Sequence, residues 1–205
     1  MICIVDYGVG NIRAFLNLFN RLGINAKRAS TKQNLDLATH LVLPGVGHFD
    51  HAMYKLNDSG LRKPLEDKVL GSKIPILGIC VGMQMLAEES EEGVQQGLGW
   101  IPGKVRAFSK KKECSKLMLP HMGWNTLETK NSLLLSTKEN DLTPQFYFLH
   151  SYYFDTKYKS NVSATTKYGF DFDAAISNNH IHGVQFHPEK SHKWGEKLLI
   201  NFSKL

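Results

Sequence analysis

The stretch "IPILGICVGMQ", residues 74–84, limits the fold more than any other part of the chain. An apolar run ends in Gly78-Ile79-Cys80-Val81-Gly82, and helix formers follow in "VGMQMLAEES". Gly-x-Cys-x-Gly is the thiol counterpart of the nucleophile elbow, a tight strand-to-helix turn that presents its central side chain. The crowded backbone of such a turn excludes side chains two positions either side, and glycine stands at both places. A cysteine at a helix N-terminus is also favoured as thiolate by the positive end of the helix dipole. The competing reading is a structural turn whose cysteine is a small buried hydrophobe.

The surrounding pattern suits such a turn. "ICIV" (2–5) reads as a strand, and Ile12, Phe15, Leu16, Phe19 and Leu22 follow at helical spacing up to Gly23. "INAKRAS" and "HLVLPG" read as further strands, with helical material in "FDHAMYKLN" and "LRKPLEDKVLG". Strands alternating with helices predict a parallel sheet covered on both faces. Beyond about residue 97 the segments become short and strand-like, from "GKVRAF" to "IHGVQFH", so the second half is expected to be largely antiparallel. The tail returns to a helical stripe of Trp194, Leu198, Leu199 and Phe202. With 205 residues and no internal repeat or linker, one domain spanning 1–205 is expected.

Charge and cysteine content narrow the function classes. Net charge is +6, and its densest run, "SKKKECSK" (109–116), has no interleaved aromatics. It reads as a solvated loop rather than a nucleic-acid site. Cys3, Cys80 and Cys114 lie far apart with no CxxC pair, which fits a reducing compartment and suggests neither a disulfide framework nor a thiolate zinc site. The start "MICIVDYG" lacks a signal-peptide pattern, and no apolar run approaches the roughly 20 residues of a spanning helix. A soluble, cytoplasmic protein is expected.

An elbow thiol needs a base, and "GVQFHPEKS" (183–191) offers His187 with Glu189 two residues on. In an extended segment positions i and i+2 face the same side, so Glu189 can hold the imidazole of His187 in one tautomer. His180 and His182 crowd nearby, but no ligand set at metal spacing is complete. "GVGN" (8–11) fails the dinucleotide fingerprint because Arg13 stands where the third glycine belongs.

Five segments in order, "PGVG" (44–47), "GICVGMQ" (78–84), "PHMGWN" (120–125), "FLHSYY" (148–153) and "GVQFHPEKS", together resemble class I, triad-type glutamine amidotransferases. Within that family they are most similar to the glutaminase subunits of imidazole glycerol phosphate synthase. The resemblance implies an α/β, flavodoxin-like fold, mostly parallel centrally, and a Cys80-His187-Glu189 triad that hydrolyses L-glutamine. It places the oxyanion hole at the N–H of Val81 and at the "PGVG" loop, near Val46 and Gly47. Gln84 and Glu92 would hold the substrate, with His150, Ser151 and Tyr152 along the opposite wall. An ordinary helix surface for Gln84, an acidic turn for Glu92 and an aromatic core strand for "FLHSYY" stay open.

The same resemblance implies that ammonia passes to a partner, a (β/α)8-barrel cyclase in a heterodimer that makes imidazole glycerol phosphate and AICAR. No synthetase domain is expected within the chain itself. Asn11, Trp124, Tyr147 and Lys190 match interface positions, Trp124 equally suiting core packing. No cofactor, metal, nucleic acid or membrane is expected. Three rivals remain: a paralogous glutaminase serving a surface-polysaccharide sugar, a catalytically silent binding subunit, and a partner-independent gamma-glutamyl peptidase. "GHFDHAM" and "SHKWGEKLL" suit the first of these at least as well.

Overall fold

The structure, a computed structural model, describes residues 1–130, 132–136 and 143–205. The first half alternates as expected. It runs β1 (Ile2–Val5), α1 (Ile12–Arg21), β2 (Ala26–Ala29), α2 (Lys32–Asp36), β3 (His40–Gly45), α3 (Phe49–Asp58), α4 (Arg62–Glu66), β4 (Ile76–Cys80) and α5 (Val81–Gln84). A π-helical turn, Asp67–Gly71, extends α4. The sequence pattern omits α2, which is five residues capped by Thr31 and too short to show a period.

The second half holds β5 (Glu89–Ser90), β6 (Gly103–Ala107), β7 (His121–Thr126), β8 (Glu128–Thr129), β9 (Gln145–His150), β10 (Tyr152–Thr156), β11 (Val162–Tyr168), β12 (Phe170–Asn178) and β13 (Ile181–Val184). The last helix, α6, is His192–Phe202. The main sheet has the order β2-β1-β3-β4-β13-β12-β10-β6-β5, with β11 on β12 and β8 on β11. Strands β2 through β13 pair in parallel along this path, and antiparallel pairing takes over between β13 and β6. The aromatic run 145–154 is not one strand. It breaks at Ser151, so that β9 pairs with β7 as a separate two-stranded sheet while β10 joins the main one.

β1, β3 and β4 are wholly or almost wholly buried, because helices cover both faces, and so read as continuous apolar runs. Cys80 ends β4, in the middle of the sheet, where ligands bind in open α/β folds. Among the described residues no helix is long and apolar enough to cross a membrane, and no group of three metal-ligating side chains is assembled.

Candidate active site

Strand register brings the two chemical motifs together. β4 and β13 run in parallel with Ile79 beside Val184, so each strand's next residue, Cys80 on one and Gln185 on the other, emerges side by side. His187 follows two residues later. Cys80 itself has φ 55° and ψ −113°, a conformation an L-residue adopts at a cost of about 1–3 kcal/mol. The glycines are explained by contact. A Cβ on Gly82 would fall 1.9 Å from the Leu43 carbonyl oxygen, one on Gly78 2.6 Å from that of Gly82, and one on Gly45 2.3 Å from the Gly82 nitrogen.

The helix after the elbow is a single turn, which corrects the longer helix expected from "VGMQMLAEES". The carbonyls of Met85, Leu86 and Ala87 accept from the backbone N–H groups of Leu98, Ile101 and Gly99, so they are unavailable to a continuing helix. One turn sums few peptide dipoles, and the expected assistance from the helix to the thiolate is correspondingly small. The base must do more.

His187 is placed for that. Its Nδ1 lies 2.9 Å from Glu189 Oε1, both side chains being 5% exposed, and the ring also engages Cys80. Burial alone would lower the imidazole pKa, but Cys80 and Glu189 outweigh it and raise it to about 10. Imidazolium is therefore the resting form at neutral pH. The segment is clamped from behind. The His187 N–H donates to the Tyr147 carbonyl, Ser191 Oγ donates to the His187 carbonyl at 2.6 Å, and Tyr147 N–H donates to Ser191 Oγ. Gly195 of α6 lies so close beneath Pro188 that a Cβ would sit 1.9 Å from its carbonyl oxygen.

Cys80 and His187 open on a cavity of about 360 Å³. Val46, Gly47 and Val81 line it near the sulfur's turn, and Gln84, Glu92, His150, Ser151, Tyr152 and Lys190 supply other walls. Several of these have structural partners too. Glu92 Oε2 accepts the Phe49 N–H at the start of α3, and Gln84 is buried, its Nε2 on the Tyr152 carbonyl. Tyr7 and Gly10 of "DYGVGN" pack under the "PGVG" loop, the Tyr7 hydroxyl donating to the Pro44 carbonyl at 2.8 Å.

Asn11 does not reach this cavity; it caps α1, accepting the Ala14 N–H, and lines a separate surface hollow. Trp124 and Tyr147 sit opposite each other on β7 and β9, rings 6.0 Å apart, with Lys190 Nζ 5.6 Å from the Tyr147 ring. Trp124 is 47% exposed and stacks on His192, so it is a surface residue rather than core.

Residues 3–204 match the family model for Glutamine amidotransferase class-I. The chain belongs to the class I glutamine amidotransferases. It is 51% identical to "Imidazole glycerol phosphate synthase subunit HisH" of Bdellovibrio bacteriovorus and 48% identical to the protein of that name in Leptospira interrogans, covering 100% of both chains each time. Among solved structures, one titled "Crystal structure of glutamine amidotransferase" superposes with TM-score 0.76 at 20% identity, covering 99% of this chain and 97% of the other. That likeness concerns the fold.

This amidotransferase also contains site residues that the motifs alone did not single out. His121 stacks on Tyr168 and Phe148 and lies 3.0 Å from His150, ring nitrogen to ring nitrogen. Burial lowers His121 to about 4, and burial with His121 alongside lowers His150 to about 3, so both rings are neutral. Gln185, wholly buried, contacts Cys80. The antiparallel register His121↔His150 is what joins "PHMGWN" to "FLHSYY".

Proposed function

We propose that this chain is the glutaminase subunit of an imidazole glycerol phosphate synthase, hydrolysing L-glutamine and handing ammonia to a (β/α)8-barrel cyclase. The observation that carries it is a cysteine held at positive φ on a glycine-packed elbow, in one cavity with a His187 that Glu189 fixes at Nδ1. The full-length identity to subunits carrying that synthase name supports the destination.

Cys80 Sγ bonds to the side-chain carbonyl carbon of glutamine, and the oxygen becomes an oxyanion. The N–H of Val81 is one donor to it, and the Val46–Gly47 segment supplies the other; one such donor is worth roughly 10²–10³ in rate. His187 Nε2 gives its proton to the departing nitrogen, the C–N bond breaks, and ammonia leaves a glutamyl thioester. His187 then takes a proton from water, whose oxygen attacks the same carbon; the C–S bond breaks, Cys80 leaves as thiolate and glutamate is released. Glu189 keeps the ring in the required tautomer.

Free ammonia in neutral water becomes ammonium, which is not a nucleophile, so the site is expected to abut a partner. The outward face of β7 and β9 suits that docking: Met122 and Leu149 pair across it, as do Trp124 and Tyr147, and Met122 is 65% exposed. Lys190 stands where this face meets the cavity. The Val46–Gly47 segment is completed as an oxyanion hole when the loaded partner binds. Reconstitution with the barrel cyclase tests the assignment, the expected outcome being glutamine-dependent formation of imidazole glycerol phosphate. A chain that instead copurifies with a sugar-amidating enzyme, and gives no such product, refutes it.

A further inference from the structure

We propose that Gln185 is a further catalytic residue: its side-chain N–H donates to Cys80 Sγ, and the buried Gln84 amide, itself anchored on the Tyr152 carbonyl, holds that donor in place. The inference rests on reading Cys80 as the nucleophile.

Gln185 lies in an apolar run, with no exposed surface. Burying a carboxamide is costly unless each end is bonded, and a leucine would fill similar space without that cost. The amide has two partners. Gln84 Nε2 approaches its Oε1 at 3.1 Å, and its own Nε2 is 3.8 Å from Cys80 Sγ, a separation the larger sulfur atom admits.

Which end faces the sulfur follows from complementarity, not choice. The Tyr152 carbonyl can only accept, so the Gln84 atom 3.2 Å from it is the amide nitrogen. That nitrogen's second N–H points to Gln185, which must answer with oxygen and turn its own N–H groups to the sulfur. The same carbonyl lies 2.7 Å from His150 Nδ1, so the proton sits there and Nε2 of the neutral ring accepts. His121 Nδ1 is then the donor across 3.0 Å, and its Nε2 accepts from Asn125 Nδ2, which also donates to the Lys167 carbonyl. Backbone carbonyls at 152 and 167 thus set the direction of every bond. Both imidazoles stay neutral through the physiological range, so the branch that converges on the Tyr152 carbonyl from the other side keeps its sense there.

The other titratable groups around the sulfur do different things. His187 is the base, with Glu189 behind it. Tyr7 is held protonated by burial and by Cys80, while Glu92, Lys190 and neutral His150 line the same cavity. Gln185 is therefore the neutral side-chain donor bonded to the sulfur, and its effect is greatest on the thiolate, since a donor to a charged acceptor forms the stronger bond.

The test is the pH dependence of Cys80 alkylation by iodoacetamide, read by mass spectrometry, in the wild-type chain and in Gln185→Leu and Gln185→Glu, with thermal melts as the folding check. Gln185→Leu is expected to alkylate roughly tenfold more slowly at pH 7 and to converge with wild type in strong alkali. Gln185→Glu, of the same shape, is expected to be slower still, because it sets a carboxylate against the thiolate. Should either variant fail to fold, Gln84→Leu, which removes the group orienting Gln185, is expected to show a smaller shift of the same sign. Superimposable pH profiles for wild type and the folded variants overturn the inference while leaving Cys80 as nucleophile. A wild-type chain labelled at Cys3 or Cys114 but not at Cys80 overturns the nucleophile, and the inference with it.

Discussion

Two segments face each other across the cavity, and they are built in opposite ways. The His187–Ser191 turn is locked: two hydrogen bonds tie it to β9, a third closes it from Ser191 Oγ to the His187 carbonyl, α6 presses a glycine against it, and Ser191 has no exposed surface. The Val46–Gly47 segment is open: Val46 is 43% exposed, and a Cβ on Gly47, at φ +81°, would meet nothing within 4 Å. Two residues earlier Gly45 is packed against the elbow backbone, so the change from packed to open happens within two residues. Groups that move protons must keep their geometry in every state, whereas a donor that responds to a partner must be free to rotate. In the proposed mechanism the fold separates the two.

Substitutions can break this contrast. The largest effect is expected on the locked side: His187→Asn lowers glutamine hydrolysis by at least about 10⁴-fold, and Glu189→Gln by about 10²–10³-fold, as measured by glutamate release in the complex. Next come the glycines. Gly82→Ala drives a methyl into the Leu43 carbonyl and is expected to cost about 3 kcal/mol or more in denaturant unfolding. Gly47→Ala meets no atom and costs only about 1–2 kcal/mol for its positive φ, yet is expected to cut partner-stimulated hydrolysis severalfold more than the basal rate. Equal losses at Gly82 and Gly47 would erase the distinction.

Ser191→Ala is expected to be a smaller change, about 1–3 kcal/mol in thermal or denaturant unfolding, because the His187 carbonyl and Tyr147 N–H each lose a buried partner. The last effect is electrostatic and is read against pH. The pKa of His187 is raised in the folded state, so its proton favours folding fully below the unfolded value near 6.5, and that contribution is lost as pH rises toward about 10. The stability difference between wild type and His187→Gln is therefore expected to shift against wild type between pH 6.5 and 10. A difference independent of pH would mean that the ring is not held as imidazolium.

Much of the locked side is legible in the sequence, because its constraints are local. Glycines at 78 and 82 report a backbone with no room for Cβ, and His187-Pro188-Glu189 places the proposed base and its orienter two residues apart. The length of α5 is not legible, since Met85 to Ala87 suit a helix and are diverted only by the later segment 97–101 bonding to their carbonyls. Gln185 looks like one polar residue in an apolar run until the β4–β13 register sets it beside Cys80. His121 and His150 lie 29 residues apart, and only the pairing of β7 with β9 makes them neighbours.

The central claim is that the locked triad waits on the open oxyanion segment. It is tested most directly by comparing glutamine hydrolysis by the free chain with that by its complex with the proposed barrel cyclase, with and without bound ribonucleotide. The account predicts a rate in the loaded complex at least about 10²-fold above that of the free chain, in line with the worth of one oxyanion donor. Equal rates in the free chain and the loaded complex would contradict it.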